Sequence, residues 1–362
     1  MNVFTRLAAL EVRPVRWPLR RPFVTALGCK THSDNVIVRA RLAGGVRGWG
    51  EASSSLALPF QTGLNMAAAL RRLGAAFHGA DVRDLPRLAE RAWRLEGRWP
   101  TAVAAFETAL WDALAQSQGR PLAELWGGAR RELETLLSVS AVSPKEVGRR
   151  AREASRAGHR LLKLKLNGGD GLALNRGRLR AAHRAAPRAR LLLDPNQSYR
   201  PEGLRELLRQ ARRDGIPVEL VEEPFLKRQW ALLARAPVKN TPVILDESVQ
   251  TPADARVVCR RGLACGVNVK LAKSGVFRTL EILEVFRSSL GRRAVFMIGC
   301  MAESRVGLAA SVHLALGLGL FRYADLDSDL ILKPTPERGG YHRRGPWITL
   351  PKRPRPGLGL VS

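Results

Sequence analysis

Four lysines are out of place in a chain whose ordinary cation is arginine. The sequence holds 50 Arg and 10 Lys, yet Lys163 and Lys165 sit two residues apart in the apolar run LLKLKLNGGD, and Lys270 and Lys273 sit in GVNVKLAKSG. Arginine stays protonated at any working pH, whereas lysine can be driven toward neutrality by burial and by nearby cations. A general base must lose its proton, so lysines kept in such settings point to proton transfer. Lys163 and Lys165, two apart on a strand, share a face. Between the two lysine pairs lie Asp194/Asn196, Glu222/Glu223 and Asp246/Glu247, each closing a short apolar run. Carboxylates from three successive runs are hard oxygen donors of the kind that hold Mg²⁺ and leave positions open for water or substrate. The six histidines, at 32, 78, 159, 183, 313 and 342, all lie away from these positions, which argues against zinc.

These residues need a frame that brings them together, and their spacing supplies one. Lys163 to Asp194 is 31 residues, Asp194 to Glu222 is 28, and Glu222 to Asp246 and Asp246 to Lys270 are 24 each. Eight strand-type runs, LLSVSAV, LLKLKLN, RLLLDPN, VELVEEP, PVILDES, GVNVKLAK, AVFMIGC and RYADLDS, alternate with helical stretches. A repeat of about 25–30 residues is the arithmetic of a (β/α) barrel, whose active site is built at the C-terminal strand ends. No GxGxxG follows the first strand, so a doubly wound sheet is disfavoured. One charged strand end could belong to a structural ion-pair network. Five consecutive charged ends favour a site. In that frame Lys270 lies across the barrel from the strand carrying Lys163 and Lys165, so two bases on opposite sides would let a proton leave one face of a carbon and return to the other. Lys273 is expected in a loop outside the site.

Residues 1–125 read as an α+β unit. VIVRARLAGGVRGWGEA has the pattern of a hairpin, followed by helical stretches around NMAAALRRLGAAF and TAVAAFETALWDALAQSQG. The expected organisation is a capping domain over 1–125, a barrel over 126–330, and a Pro- and Gly-rich segment, 331–362, packing back on the cap. The fold class is α/β, a (β/α)7β modified TIM barrel with an N-terminal α+β cap.

The net charge of +28 invites a polyanion. The arginines, however, are dispersed over the whole chain, without aromatic-interleaved basic runs or a helix-turn-helix pattern, so a solvated basic surface is favoured over specific nucleic-acid binding. Four cysteines without a CxxC read as reduced thiols. The first residues lack a signal-peptide pattern and no later run stays apolar for a membrane span, so a cytoplasmic protein is expected.

In order and spacing, WGEA, LWDALAQ with PLAELWGG, KLK, LDPNQSY, VEEP, LDES, VNVKLAKSG, IGCMAES and PGLGL resemble the enolase superfamily, muconate-lactonizing subgroup, over nearly the whole chain. A Lys or His base with Mg²⁺ is the general pattern of that superfamily. Within it, YADLDSDL is similar to the dipeptide epimerases, in which the carboxylates matching Asp325 and Asp327 hold the substrate's α-ammonium. The resemblance implies one Mg²⁺ per subunit on Asp194, Glu222 and Asp246, with the metal and Lys163 holding the substrate carboxylate. It makes Lys165 and Lys270 the two acid/bases at the α-carbon of the second residue, working through a metal-stabilised enediolate. Ser138, Cys300 and Ala302 match positions that line the dipeptide. The partner implied is a small dipeptide of L-Ala-L-Xaa type, and assembly into homo-oligomers is expected. N-acylamino acid racemase, o-succinylbenzoate synthase and muconate cycloisomerase are the alternatives within the subgroup. Specificity is expected from the loops after Phe23 and around Ser53–Gly63. Relatives preferring Glu place a cation where this chain has Gly28, with Lys30 and His32 nearby. Asp329 adds a carboxylate that a cationic dipeptide would suit.

Overall fold

A computed structural model of the protein describes residues 3–235 and 241–361. The chain opens with a three-stranded antiparallel sheet, β1 (Leu7–Thr25), β2 (Gly28–Leu42) and β3 (Arg47–Ala52), in that order. The β2–β3 hairpin is the one the sequence predicts. The long strand β1 is not evident in the pattern, because Pro14, Pro18 and Pro22 interrupt it and Arg13, Arg16, Arg20 and Arg21 cover its exposed positions. Proline cannot donate to a ladder and survives only at a sheet edge. Here β1 is the edge strand of its three-stranded sheet, paired with β2 and touched on the other side only locally, where Leu19 bridges Leu332, and the β1–β2 register breaks between Pro18 and Phe23.

Helices α1 (Gly63–Ala76), α2 (Leu85–Glu96) and α3 (Pro100–Ser117) complete the cap. Helix α3 lies almost on the backbone of β3. A Cβ at Gly48 would fall 2.1 Å from the Ala109 carbonyl oxygen, and one at Gly50 2.1 Å from that of Ala105, so the two glycines of RGWGEA are steric requirements. Asp112 on α3 is buried and accepts hydrogen bonds from Trp49 N (2.7 Å) and Leu358 N (2.6 Å), binding the hairpin and the C-terminal segment to one helix. After α4 (Leu122–Leu125) come Gly127 and Gly128, both at positive φ, and a short strand β4 (Glu132–Glu134).

The barrel follows as eight parallel strands in sequence order: β5 (Leu137–Val139), β6 (Leu161–Lys165), β7 (Arg190–Asp194), β8 (Val218–Glu222), β9 (Val243–Leu245), β10 (Gly266–Lys270), β11 (Val295–Gly299) and β12 (Tyr323–Asp325). Seven helices make the crossovers: α5 (Pro144–Arg156), α6 (Gly171–Ala185), α7 (Pro201–Arg213), α8 (Trp230–Arg235), α9 (Pro252–Arg260), α10 (Leu271–Leu290) and α11 (Arg305–Leu318). After β12 there is one turn, α12 (Ser328–Ile331), in place of an eighth helix. Leu136 N donates to Ala324 O (2.8 Å) and Leu326 N to Thr135 Oγ1 (2.9 Å), joining the two ends of the sheet. The fold is the (β/α)7β modified TIM barrel with an N-terminal cap.

Inside the strands, Leu136, Leu161, Leu192, Leu220, Ile244, Met297 and Tyr323 pack into one buried cluster, while the outward faces pack on the helices. Strands buried on both faces are apolar throughout, which is why the runs were readable and why their charged ends stand out. The C-terminal segment divides its contacts. Strands β14 (His342–Arg344) and β15 (Trp347–Thr349) extend β4 beside the barrel, and β13 (Arg338–Gly339) pairs with β16 (Leu360–Val361). Its return to the cap is made at Leu122, whose N–H donates to Gly357 O (2.7 Å), and at Asp112.

Candidate active site at the barrel mouth

Each predicted charged group emerges where its strand ends. On β6, Lys163 and Lys165 point to the barrel interior with Leu161, as a period of two requires. Lys163 is completely buried; its Nζ lies 2.9 Å from Glu222 Oε2 and 3.4 Å from Asp194 Oδ2, and it also contacts Asp325. Lys165 pairs with Asp194, and Lys270 with Asp246 at 2.6 Å. Strand β10 lies four places from β6 in the eight-stranded order, so Lys165 and Lys270 stand on opposite sides of the mouth. On the neighbouring strand end, Ser138 N donates to Asp327 Oδ2 (2.7 Å) and Ser138 Oγ to Asp325 Oδ1 (3.2 Å). Cys300 N donates to Asp325 O (3.1 Å), and Ala302 O accepts from Asn35 Nδ2 (2.9 Å) in the cap. Ser138, Lys165, Asp246, Lys270, Cys300, Ala302, Asp325 and Asp327 line one cavity of about 130 Å³; Lys163, Asp194 and Glu222 lie in the charged network against it.

Lys273 corrects the sequence reading. It is not in a loop outside the site but in the first turn of α10, buried, with its ammonium donating to Asn268 O (2.9 Å) and contacting the Asp246 carboxylate and carbonyl. Gly275, at φ +66°, breaks α10 just beyond it, and the N–H of Phe277 at the start of the second half donates to Glu107 Oε1 of the cap (2.7 Å). Asp329 is also not where a substrate would meet it. Arg343 and Tyr341 occupy its carboxylate, and it is absent from the cavity lining.

Three further residues stand at the site: Asn268, which the sequence reading did not single out, and Glu223 and Lys30, which it named without a settled role. Asn268 donates to Glu222 Oε1 (2.8 Å); its spacing of two from Lys270 in VNVK was the available signal. Glu223, at φ +35°, accepts from Asp246 N (2.8 Å) and Ser248 N (3.1 Å) and so orients the loop carrying Asp246. Lys30, from the cap, lines the cavity beside Ser54.

Electrostatics at the mouth reflect crowding. Burial raises the Glu222 carboxyl; Lys163 opposes that, while Asp194 and Asp246 add repulsion. Burial acts against the charged forms of Asp194 and Asp246 as well, but the lysines beside them outweigh it and hold both below the usual carboxylate range. Lys163 and Lys270 are likewise disfavoured by burial yet raised overall by the carboxylates around them. The lysines are therefore held protonated by the same carboxylates expected to hold the metal. Asp327 is pushed up to about 7 by burial and by Asp325.

The carboxylates fit a divalent cation in chemistry. They are three buried oxygen donors on adjacent strands, close enough for Asp194 and Asp246 both to repel Glu222. Next to them, Asn196 Oδ1 and Glu247 Oε2 are buried without a hydrogen-bond partner, an arrangement that costs free energy unless another group completes it. As they stand, the carboxylates turn onto the lysines, so among the described residues no three acidic, His or Cys side chains converge on a point.

A barrel of this topology with opposed lysines over three carboxylates defines a class, and sequence comparison places the chain in it. The protein belongs to the mandelate racemase / muconate lactonizing enzyme family: its N-terminal domain matches residues 8–127, and the enolase C-terminal domain-like family matches residues 146–361. Among its relatives, L-Lys-D/L-Arg epimerase of Methylococcus capsulatus is 37% identical over 98% of this chain and 99% of its own. L-Ala-D/L-Glu epimerase of Bacillus subtilis is 32% identical over 99% and 97%, and aromatic dipeptide epimerase of Herpetosiphon aurantiacus 32% over 96% of each. The structure of the Methylococcus capsulatus dipeptide epimerase with Mg and L-Arg-D-Lys superposes with a TM-score of 0.90 at 34% identity, covering 99% of this chain and 100% of that one.

Proposed function

We propose that the protein is a Mg²⁺-dependent dipeptide epimerase that inverts the α-carbon of the second residue. The observation that carries this is the placement of Lys165 and Lys270 across the mouth, with Asp325 and Asp327 paired beside them. Mg²⁺ held by Asp194, Glu222 and Asp246 supplies the positive charge that makes the α-proton of a carboxylate removable. Lys163 adds a fixed cation for that carboxylate. Asp325 and Asp327 receive the dipeptide's ammonium, a charge-assisted contact that fixes the substrate's direction. One lysine of the opposed pair then takes the α-proton, and the other returns a proton to the opposite face. Lys270, held protonated by the carboxylates around it, would be eased toward release of its proton once those carboxylates held a cation.

The cap of 1–125, the barrel of 126–330 and the returning segment 331–362 are part of the same reading, supported by the break at Gly127–Gly128. So are a cytoplasmic location, supported by four free cysteines, and self-association, which gel filtration would test. Among the described residues no helix is long and apolar enough to cross a membrane. The test is α-proton exchange in D₂O with Mg²⁺ and pooled L-L dipeptides, read by mass spectrometry. A gain of one mass unit in some members is expected. Exchange confined to N-acylamino acids, or none in any dipeptide with metal bound, refutes the proposal.

A further inference from the structure

The barrel's missing eighth helix leaves a second hollow, outside the substrate cavity. A groove of about 650 Å³ lies between α5 and α12, walled in part by Leu137 and Val139 of β5. Arg20 and Arg21 also line it, from the stretch of β1 where the ladder to β2 breaks between Pro18 and Phe23. Phe23, Ser138 and Ile331 line both the groove and the substrate cavity, so the two share a wall. Cations outnumber anions here. Arg20 Nε donates to Leu332 O (2.8 Å), and among the described residues Arg20 has no carboxylate partner. Glu153 serves both Arg21 (3.2 Å) and Arg149, and Glu146 serves both Arg149 (2.6 Å) and Arg150 (2.7 Å). Four guanidiniums against two carboxylates leave two positive charges. His159 and Arg343 line the groove too. Each has a buried nitrogen, His159 Nδ1 and Arg343 Nη1, without a hydrogen-bond partner among the described residues. Buried polar atoms left unpaired cost free energy that a bound group can recover. Burial and the nearby Arg343 hold the imidazole below its ordinary pKa, so near pH 7 its ring is neutral and offers one donor and one acceptor.

We infer that this groove is a second, non-catalytic binding site, for monohydrogen phosphate, and that the bound anion tightens the grip of the neighbouring site on its substrate. The dianion matches the local excess of charge, its oxygens suit guanidinium forks, and its O–H can meet a neutral imidazole. Arg343 carries the coupling. Its Nη2 donates to Leu326 O (2.6 Å), next to Asp327. Burial and Asp325 raise the Asp327 carboxyl, and the Arg343 charge works against them. The same positive charge opposes the substrate ammonium assigned to Asp327, so an anion on Arg343 offsets that opposition. The coupling rests on the dipeptide epimerase reading; the phosphate site does not.

Calorimetric titration of the Mg²⁺-loaded protein with phosphate and with sulfate, at pH 7 and about 0.15 M salt, tests the site. One phosphate per chain is expected, about 10-fold tighter than sulfate, which is as charged but has no O–H to give. H159A should bring that ratio to about one. R20M, at an exposed position that the fold does not need, should weaken both anions about 10-fold. In the exchange assay phosphate should lower the dipeptide KM about 5-fold and leave kcat unchanged. R343M should show the lower KM without phosphate and no response to it. No phosphate binding at about 10 mM overturns the site. So does equal affinity for sulfate, or affinity unchanged in both H159A and R20M, which is the diffuse attraction of a chain carrying +28. Phosphate that raises KM in competition with dipeptide has bound in the substrate cavity and overturns it equally. Binding with no change in KM overturns the coupling alone. Absence of exchange in every dipeptide refutes the proposed function, and the titration still decides the site.

Discussion

Replacing Lys165 or Lys270 by arginine separates proton transfer from everything else these side chains do. Lys165 pairs with Asp194 and Lys270 with Asp246, and arginine can keep both ion pairs and hence the charge balance of the mouth. It cannot give up its proton. Because β6 and β10 stand four apart in eight strands, the two lysines address opposite faces of the reacting carbon. Each variant should therefore lose proton abstraction from one diastereomer of a dipeptide and keep it for the other. Loss of a positioned general base lowers the affected step by about 10²–10⁴, or about 3–5 kcal/mol in barrier. The assay incubates L,L and L,D diastereomers separately in D₂O and follows deuterium uptake and inversion together. Complementary single-sided exchange with no inversion is the expected pattern. Inversion within tenfold of wild type in either variant, or equal loss of exchange from both diastereomers in both variants, refutes the two-sided arrangement.

Removing the ammonium site should act on binding: Asp325→Asn and Asp327→Asn should each lower kcat/KM for dipeptides by about 10²-fold, the worth of a charge-assisted contact, while sparing any substrate without an amine. Chelation of divalent cations should abolish exchange, and titration should restore it at one Mg²⁺ per subunit by elemental analysis. Glu51, buried between cap and barrel, accepts from Asn35 Nδ2 (2.7 Å), Ser304 N (2.9 Å), Gly307 N (3.0 Å) and Trp17 Nε1 (3.1 Å). Glu51→Ala should cost about 3–5 kcal/mol by leaving those donors unsatisfied, read as a loss of denaturant midpoint. Burial pushes the Glu107 carboxyl up to about 7, above the value near 4.5 in the unfolded chain. The folded state then holds the extra proton between those values, so stability falls as pH rises from about 4.5 to 7, by up to about 3 kcal/mol. Glu107→Gln should flatten that slope in pH-dependent unfolding, since its amide oxygen can still accept from Phe277 N.

The barrel and its charged strand ends were readable for one reason. Strands packed on both faces tolerate only apolar residues, so Lys163, Lys165, Asp194, Glu222, Asp246 and Lys270 interrupt an otherwise uniform pattern at a regular spacing. Strand β1 gave no such signal, because its prolines and arginines are permitted by an edge position that only the folded sheet defines. Lys273 was misplaced because LAKSG reads as a loop. Tertiary packing makes it a helical turn, broken at Gly275, that carries the ammonium under Asp246.

The amino-acid sequence by itself determined the chemistry at the mouth, since residue type and strand periodicity decide which groups arrive there. Tertiary structure alone decided what surrounds that chemistry. Glu51 meets Ser304 across 253 positions, and Asp112 meets Leu358 across 246. Lys30 enters the cavity because the cap docks over the strand ends. Such contacts have no period and no local propensity; they exist only once two separately patterned surfaces have buried each other.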